Sequence, residues 1–290
     1  MSTLAMGILT GLGAAVGFGL GDFFAARASR QYSAWHMLLW GQVIKLGLVA
    51  TTFLVLGWHF QFTGYAMVLA LCSGVILVAG QLAAFQAFKL GPVGLASPFV
   101  SGYALVAAAL SLLFLHEYLR PLQLAAVALL IFGGVLASIS GETNRPRKDF
   151  WRQPTVLLAL TAAFCIGVCL FFLAQLVHEI GWQSAMLLQC LVVTVCAALL
   201  LQVRKVPLAP DGRWPVNRTV LVAAAFGFVG TVMINFGFSS SLVAIVAPVA
   251  SISPLITVGL ALLFFKERLS VYQLTGALVV IFALSLLSVR

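Results

Sequence analysis

The chain has 290 residues, of which 62% are hydrophobic and 8% are charged, with a formal net charge of +9. Water-soluble domains carry about 25% charged residues, so this composition excludes a soluble globular protein. Apolar runs of about 20 residues, the length that crosses a bilayer core, recur along the chain and indicate a polytopic membrane protein.

The apolar runs predict an all-α integral membrane protein with ten transmembrane helices. The breaks between the runs are short and carry glycine, proline or charge, so we expect no extramembrane domain. Residues 1–140 and 154–290 would each hold five spans, joined by a cytoplasmic linker at 141–153. The expected spans are 5–25, 34–56, 64–88, 93–115, 120–140, 154–177, 182–203, 218–240, 243–265 and 270–288.

The positive charges predict the orientation in the membrane. Thirteen of the sixteen lysines and arginines lie in the connections that follow the odd-numbered spans, and only Arg120 and Arg290 lie on the other side. Because cytoplasmic loops are enriched in Lys and Arg, both termini are expected outside the cytoplasm, in a bacterial inner membrane. The basic balance is therefore a topology signal and does not indicate a nucleic-acid partner.

The two halves contain an internal repeat. Residues 94–138 align without gaps on 244–288, with fifteen identities at an offset of 150. Five spans per copy is an odd number, so the second copy must enter the membrane inverted, an architecture typical of alternating-access transporters. The shared positions include Pro98/Pro248, Glu117/Glu267 and Gln123/Gln273.

Several segments resemble a known family. FKLGPVGLASPFVSGYALVAAALSLLFLHEYLRPLQL and SSSLVAIVAPVASISPLITVGLALLFFKERLSVYQL resemble the two EamA repeats of the drug/metabolite transporter superfamily, and GDFFAARASR is similar to the end of the first helix in some bacterial members. The resemblance implies a ten-helix transporter in which helices 1–4 and 6–9 surround a central cavity. It also implies export of amino acids, other metabolites or drugs.

Lys45 lies near the middle of the second predicted span. A charge there costs at least about 3 kcal/mol on insertion scales, so it normally faces a cavity or a partner. Gln42 and Trp40 lie on the same helix nearby and are candidate neighbours in a binding site. The alternative is a structural lysine that bonds helix carbonyls.

Asp22 is the only acidic residue inside a predicted span, and it is our candidate for proton coupling. Its expected position is closer to the basic rim than that of Lys45. A direct pair would therefore need the first span to shift, or to bend at Gly17, Gly19 and Gly21. The alternative is a local ion pair with Arg27 or a helix-end cap.

Further candidates come from the proline-containing spans and from isolated polar residues. Prolines remove a backbone donor and free a carbonyl one turn earlier, which is tolerated at membrane depth where the carbonyl lines a cavity. Glu117 and Glu267 are expected to cap helix N-termini rather than to act in a site. The helix-breaking candidates are Pro98, Pro248 and Pro254, and the polar lining candidates are Ser101, Ser251, Gln81, Tyr103 and Asn235.

These features predict a secondary active transporter for a small amino acid-like or amphipathic metabolite. Protons are the expected coupling ion, the lipid bilayer is the expected surrounding, and the protein is expected as a monomer or homodimer without cofactor or metal. The alternatives are a facilitative uniporter or channel-like permease, and an intramembrane enzyme. The enzyme is disfavoured because the spans offer only one Asp and one Lys, at different depths.

Overall fold

A computed structural model describes residues 3–91, 93–137, 153–208, 216–265 and 271–288. These residues form helices and contain no strand. Residues 141–152 of the predicted linker and Glu267 lie outside the described residues. The helices are α1 (Thr3–Gln31), α2 (Ala34–Val55), α3 (Gly64–Leu90), α4 (Val93–Val100), α5 (Tyr103–Phe114), α6 (Pro121–Ala137), α7 (Pro154–Val203), α8 (Arg218–Ser240), α9 (Val243–Ala250), α10 (Ser253–Phe265) and α11 (Val271–Ser288).

The long helices confirm a multi-pass membrane protein. By length and hydropathy, α1, α2, α3, α7 and α8 can each cross a bilayer. Exposed basic residues mark one end of the bundle, which we call the basic face; they are Arg27, Lys89, Arg204 and Arg218. We call the opposite end, with Glu117 and Glu179, the distal face.

The fourth and ninth predicted spans are each divided into two helices. α4 ends at Val100 and α5 begins at Tyr103, while α9 ends at Ala250 and α10 begins at Ser253. Both breaks follow shortly after a proline, Pro98 or Pro248, and they lie 150 residues apart, as the repeat does.

The sixth and seventh predicted spans are one helical element, α7, interrupted only at Gly181. Its backbone dihedrals are φ 75° and ψ 155°, in a region that favours glycine because a Cβ atom would be strained there. The amide Nε2 of Gln189 lies 3.5 Å from Cys169 Sγ. The two arms of α7 therefore fold back on each other as a hairpin.

Close helix packing depends on glycine where α1 meets α8. A Cβ atom on Gly17 would lie 2.4 Å from the backbone nitrogen of Gly230, so only glycine permits this contact. Gly21 also packs against α8, at Gly227, whereas Gly19 packs against α10, at Ser253 and Ile256.

The helix contacts repeat between the halves. The contact of α1 with α8 corresponds to the contact of α3 with α7, and the contact of α4 with α10 corresponds to that of α5 with α9. The last helices of the two halves, α6 and α11, pack against each other. Gly17 contacts Gly230 whereas Gly237 contacts Thr10, so α1 and α8 run antiparallel. Because short connections make α1 and α3 parallel, α8 runs opposite to its counterpart α3.

Glu117 caps a helix of the other half. Its two carboxylate oxygens accept hydrogen bonds from the backbone nitrogens of Val243 (2.8 Å) and Ala244 (2.9 Å), at the start of α9. The expected capping is present, but the capped helix is α9 rather than the neighbouring α6. A carboxylate is favourable there because the helix N-terminus has unpaired donors and a positive dipole.

Candidate functional site

A cavity of about 150 Å³ lies between the two halves. Its wall combines aromatic side chains, among them Phe18, Phe85 and Phe88, with a set of polar and charged groups from several helices. The predicted site residues that line it are Asp22, Gln42, Lys45, Gln81, Ser101, Tyr103 and Asn235.

Asp22 and Lys45 both face this cavity, which the expected difference in depth did not anticipate. α1 continues past Asp22 to Gln31, so Asp22 lies well inside the helix, and Arg27 is exposed at the basic face. Asp22 from α1 and Lys45 from α2 therefore line the same cavity. Both residues also line a smaller adjoining compartment of about 90 Å³.

Gln42 is held in one orientation by Gln81. The side-chain Nε2 of Gln42 donates to Gln81 Oε1 at 2.5 Å, a contact between α2 and α3. The remaining oxygen, Gln42 Oε1, is buried without a hydrogen-bond partner. This arrangement leaves an acceptor available in the cavity wall.

Asn235 and Tyr103 also present unpartnered polar atoms. The amide nitrogen of Asn235 donates to the backbone oxygen of Thr231 at 2.8 Å, which leaves Asn235 Oδ1 buried and unpaired. The Tyr103 hydroxyl is likewise buried without a partner. Gln42, Asn235 and Tyr103 are 4%, 0% and 8% exposed, so these atoms are removed from bulk water.

Some predicted site residues lie elsewhere. Trp40 donates from Nε1 to the backbone oxygen of Leu208 at 3.2 Å, near the basic face, and is not part of the cavity wall. Ser251 donates to the Pro248 carbonyl at 2.7 Å and stabilises the helix break. Pro98 and Pro248 lie within α4 and α9, and Pro254 is the second residue of α10.

The cavity also has polar lining residues that were not among the predicted site residues. Two of them follow from the repeat, because Ser253 is offset by 150 from Tyr103 and Thr231 by 150 from Gln81. The repeat offset was therefore an available signal for these residues. The others, Ser97, Cys169, Gln189 and Cys190, depend on helix rotation, which the sequence does not specify.

A metal centre does not form in the described ranges, because no group of three or more His, Cys, Asp or Glu side chains comes together there. The cavity therefore offers charge pairing, hydrogen bonds and apolar contact. These are suited to binding a solute.

Relatives of known sequence match one part of the chain. An uncharacterized protein of Methanocaldococcus jannaschii is 29% identical over 139 residues, which is 46% of this chain and 96% of that protein. Two Streptococcus agalactiae proteins, of serotypes V and III, each carry the name "Putative sugar uptake protein" and are 31% identical over 141 residues. That match covers 45% of this chain and 49% of each relative, so it spans about half of their length.

The fold occurs in a solved crystal structure of a protein with 16% sequence identity. The TM-score is 0.77, and the match covers 97% of this chain and 95% of the other. The family model of the EamA-like transporter family matches residues 5–139 and again residues 153–289. Because the two matches together cover nearly the whole chain, this protein belongs to the EamA-like transporter family.

Proposed function

We propose that this chain is a secondary active transporter that exports a small zwitterionic or amphipathic metabolite, such as an amino acid, by alternating access. The observation that carries the proposal is the buried cavity in which Asp22 and Lys45 lie with three unpartnered polar atoms. A buried polar atom without a hydrogen bond costs about 1–3 kcal/mol. A solute that supplies those hydrogen bonds therefore binds in preference to one that does not.

The cavity chemistry favours a solute that carries both charges. The Lys45 ammonium suits a carboxylate, and the Asp22 carboxylate suits an ammonium group. The unpaired carbonyl oxygens of Gln42 and Asn235 accept further hydrogen bonds from the solute. The aromatic part of the wall suits an apolar side chain, because burying apolar area contributes roughly 25 cal/mol per Å².

A sugar or other polyol is the second candidate substrate. Two relatives carry names that describe sugar uptake, and the hydroxyls of Tyr103, Ser97 and Ser253 line the cavity. A neutral polyol would depend on the amide and hydroxyl groups more than on Lys45 and Asp22. The two candidates therefore differ in how strongly charge removal affects transport.

Ten spanning helices in two inverted repeats are the proposed architecture. Each divided pair, α4 with α5 and α9 with α10, would count as one span, and each arm of α7 as another. The antiparallel run of α1 and α8 supports the inversion, and the thirteen-to-two charge bias supports a cytoplasmic basic face. Both termini would then lie outside the cytoplasm of a bacterial cell. A monomer suffices, because one chain supplies both halves.

Proton coupling through Asp22 is part of the proposal. Asp22 faces Lys45 across the cavity and lines both compartments, so its protonation would change the charge that a solute meets. We expect substrate-driven pH changes in proteoliposomes that are lost in Asp22→Asn and weakened in Lys45→Ala. Undiminished pH changes in both variants would show that neither residue carries the proton.

The deciding experiment is counterflow in proteoliposomes with a panel of amino acids, small amines and sugars. Lys45→Ala and Lys45→Gln should lower exchange of a zwitterion by at least about tenfold, because hydrogen bonds to charged groups contribute about 1.5–3 kcal/mol. Lys89→Gln, which removes an exposed charge at the basic face, is the matched control and should exchange like wild type.

The same assay separates the rival functions. A carrier shows saturation and counterflow, whereas a channel-like permease shows neither. A facilitative uniporter exchanges solute without any coupled pH change. Full exchange of a zwitterion by both Lys45 variants, with sugars also transported, would favour the polyol alternative.

A further inference from the structure

Besides the Glu117 cap at the distal face, two sets of hydrogen bonds join the halves at opposite ends of the cavity. At the distal face, the segment 56–63 between α2 and α3 lies against the Gly181 turn of α7. The Gln61 backbone nitrogen donates to Ser184 Oγ at 3.0 Å, and Thr63 Oγ1 donates to Glu179 Oε1 at 2.8 Å. We call these four residues, Gln61, Thr63, Glu179 and Ser184, the distal latch.

The basic face has a corresponding set between residues that follow α7 or directly precede α8 and residues at the α1–α2 turn. Asn217 donates from Nδ2 to Gln31 Oε1 at 3.2 Å, and His36 Nε2 lies 2.9 Å from the backbone oxygen of Pro207. We call these four residues, Gln31, His36, Pro207 and Asn217, the basic latch. The Trp40 contact with Leu208 adds to it from the same side.

The two latches are built in the same way. In each latch, residues that precede the third long helix of one half contact the turn between the first two helices of the other half. At the distal face these are residues before α3 and the Gly181 turn of α7; at the basic face they are residues before α8 and the α1–α2 turn. In each, the N-cap residue has a second role. The Thr63 hydroxyl accepts a hydrogen bond from the Ala66 backbone nitrogen at 3.0 Å, and the Asn217 side-chain oxygen accepts one from the Val220 backbone nitrogen at 3.1 Å. The Thr63 hydroxyl and the Asn217 side-chain nitrogen each also donate to a residue of the other half.

Aromatic rings extend the distal contact between the halves. The Trp58 and Trp182 ring centroids are 5.0 Å apart in an edge-to-face arrangement, Phe53 lies 5.8 Å from Trp58, and Phe236 lies 5.5 Å from Trp182. Phe53 and Trp58 belong to the first half, whereas Trp182 and Phe236 belong to the second. Opening the cavity at this face therefore requires the separation of these rings as well as of the polar contacts.

We propose that the two latches are the gates of the transport cycle, each controlling access to the cavity from its own face. Both latches are closed in this structure. Opening at one face requires its latch to release while the other holds. The proposal rests on the alternating-access function, but its test needs no substrate.

The test uses Cys190, which lines the cavity, as the sole cysteine, with Cys72, Cys165, Cys169 and Cys196 changed to serine. A membrane-impermeant methanethiosulfonate is added from one face at a time to vesicles of known orientation. The labelling rate is measured by mass spectrometry. Glu179→Ala with Ser184→Ala removes both acceptors of the distal latch, and Gln31→Ala with His36→Ala opens the basic latch.

The distal variant should raise labelling from the distal face by about tenfold, since two lost hydrogen bonds shift a two-state equilibrium by that order. Labelling from the basic face should stay within about twofold, and the basic variant should show the opposite pattern. Glu179→Gln and Gln31→Glu keep an acceptor oxygen and are the matched controls, expected to label like the parent. Equal increases from both faces, or no increase in either variant, would overturn the proposal.

A cross-link covers the case in which a latch variant fails to fold. Gln61→Cys with Ser184→Cys, in a background without other cysteines, would be oxidised to lock the distal face. A reducing agent should restore exchange that the lock abolishes. Full exchange by the cross-linked protein would overturn the proposal that the distal latch is a gate. If none of the tested solutes is exchanged but labelling still depends on the face, the result would count only against the proposed substrate class.

Discussion

The two halves of the molecule share their helix breaks and close contacts but differ in charge. α4 ends at Val100 and α9 at Ala250, at equivalent positions of the repeat. Among the described lining residues, however, the two charged groups, Asp22 and Lys45, both come from the first half. The second half contributes amide, hydroxyl and thiol groups, such as those of Asn235, Thr231 and Cys190.

This difference separates what packing requires from what a solute requires. Close-packed helices respond to a single added methyl group, so equivalent contacts keep similar residues in both halves. A cavity wall borders free space, where side chains can differ without overlap. Because the charged side chains come from one half only, a solute in the cavity would meet charged groups on one side and uncharged polar groups on the other. The symmetric scaffold thus encloses a cavity whose wall is asymmetric in charge.

The largest stability effect is expected at the α1–α8 contact. Gly17→Ala should lower the free energy of unfolding by about 1–3 kcal/mol, because its Cβ atom would meet the backbone of Gly230 at 2.4 Å. Gly80→Ala, in the equivalent contact of α3 with α7, should cost less, since the nearest atom is 3.0 Å away. Thermal unfolding in detergent measures both.

Gly47→Ala is the control for this comparison, because nothing lies within 4 Å of the added atom. Its unfolding midpoint should be unchanged or raised, since alanine is the better helix former. A Gly80→Ala variant as unstable as Gly17→Ala would show that the two contacts are equally tight, contrary to the structure.

The next effect concerns the cap that joins the halves. Glu117→Ala should lower the free energy of unfolding by about 1–2 kcal/mol, because Val243 and Ala244 lose charge-assisted hydrogen bonds at the start of α9. Glu117→Gln keeps one acceptor oxygen and should lose about half as much. Wild-type stability in the alanine variant would mean that another group caps α9. The measurement is again the unfolding midpoint in detergent.

The smallest stability effect is expected in the cavity wall, where function and stability should separate. Asn235→Leu removes an unpartnered buried oxygen, so stability should be unchanged or raised by up to about 1 kcal/mol, whereas Gln42→Leu also leaves Gln81 Oε1 without its donor and should lower stability by about 1 kcal/mol. Exchange in proteoliposomes should fall in both variants. Ser241 is a matched control, since its buried hydroxyl oxygen is also unpartnered but lies outside the cavity. Ser241→Ala should therefore exchange like wild type, and loss of exchange there would undermine this assignment.

Much of the site could be predicted because polar groups are costly in a bilayer. Asp22, Lys45, Gln81 and Asn235 lie in apolar helices, so an inward position was the favourable one, and the structure places all four around one cavity. Trp40, which helix spacing grouped with them, lies outside the wall of this cavity. Its rotation toward Leu208 depends on how α2 packs against its neighbours, and spacing along one helix does not determine this packing.

The fold was predictable to the same extent. Apolar length and the repeat gave the helices and their division into halves. The positions of the breaks were not predictable, because a proline weakens one turn while neighbouring helices decide where the backbone departs from helical geometry. The continuity of α7 also escaped prediction, since a single glycine at position 181 replaces the expected loop.

The single-residue turn of α7 has a consequence for biogenesis. Gly181 is the only non-helical residue between the two apolar arms. The connection is therefore too short for one arm to stay at the membrane surface while the other arm inserts. We therefore expect the pair to leave the translocon together as a helical hairpin. The charged group next to the turn is Glu179, which is exposed; in the proposed orientation, insertion would carry this carboxylate across the membrane. Acidic residues hinder translocation little compared with Lys or Arg, and residues 178–184 contain neither Lys nor Arg.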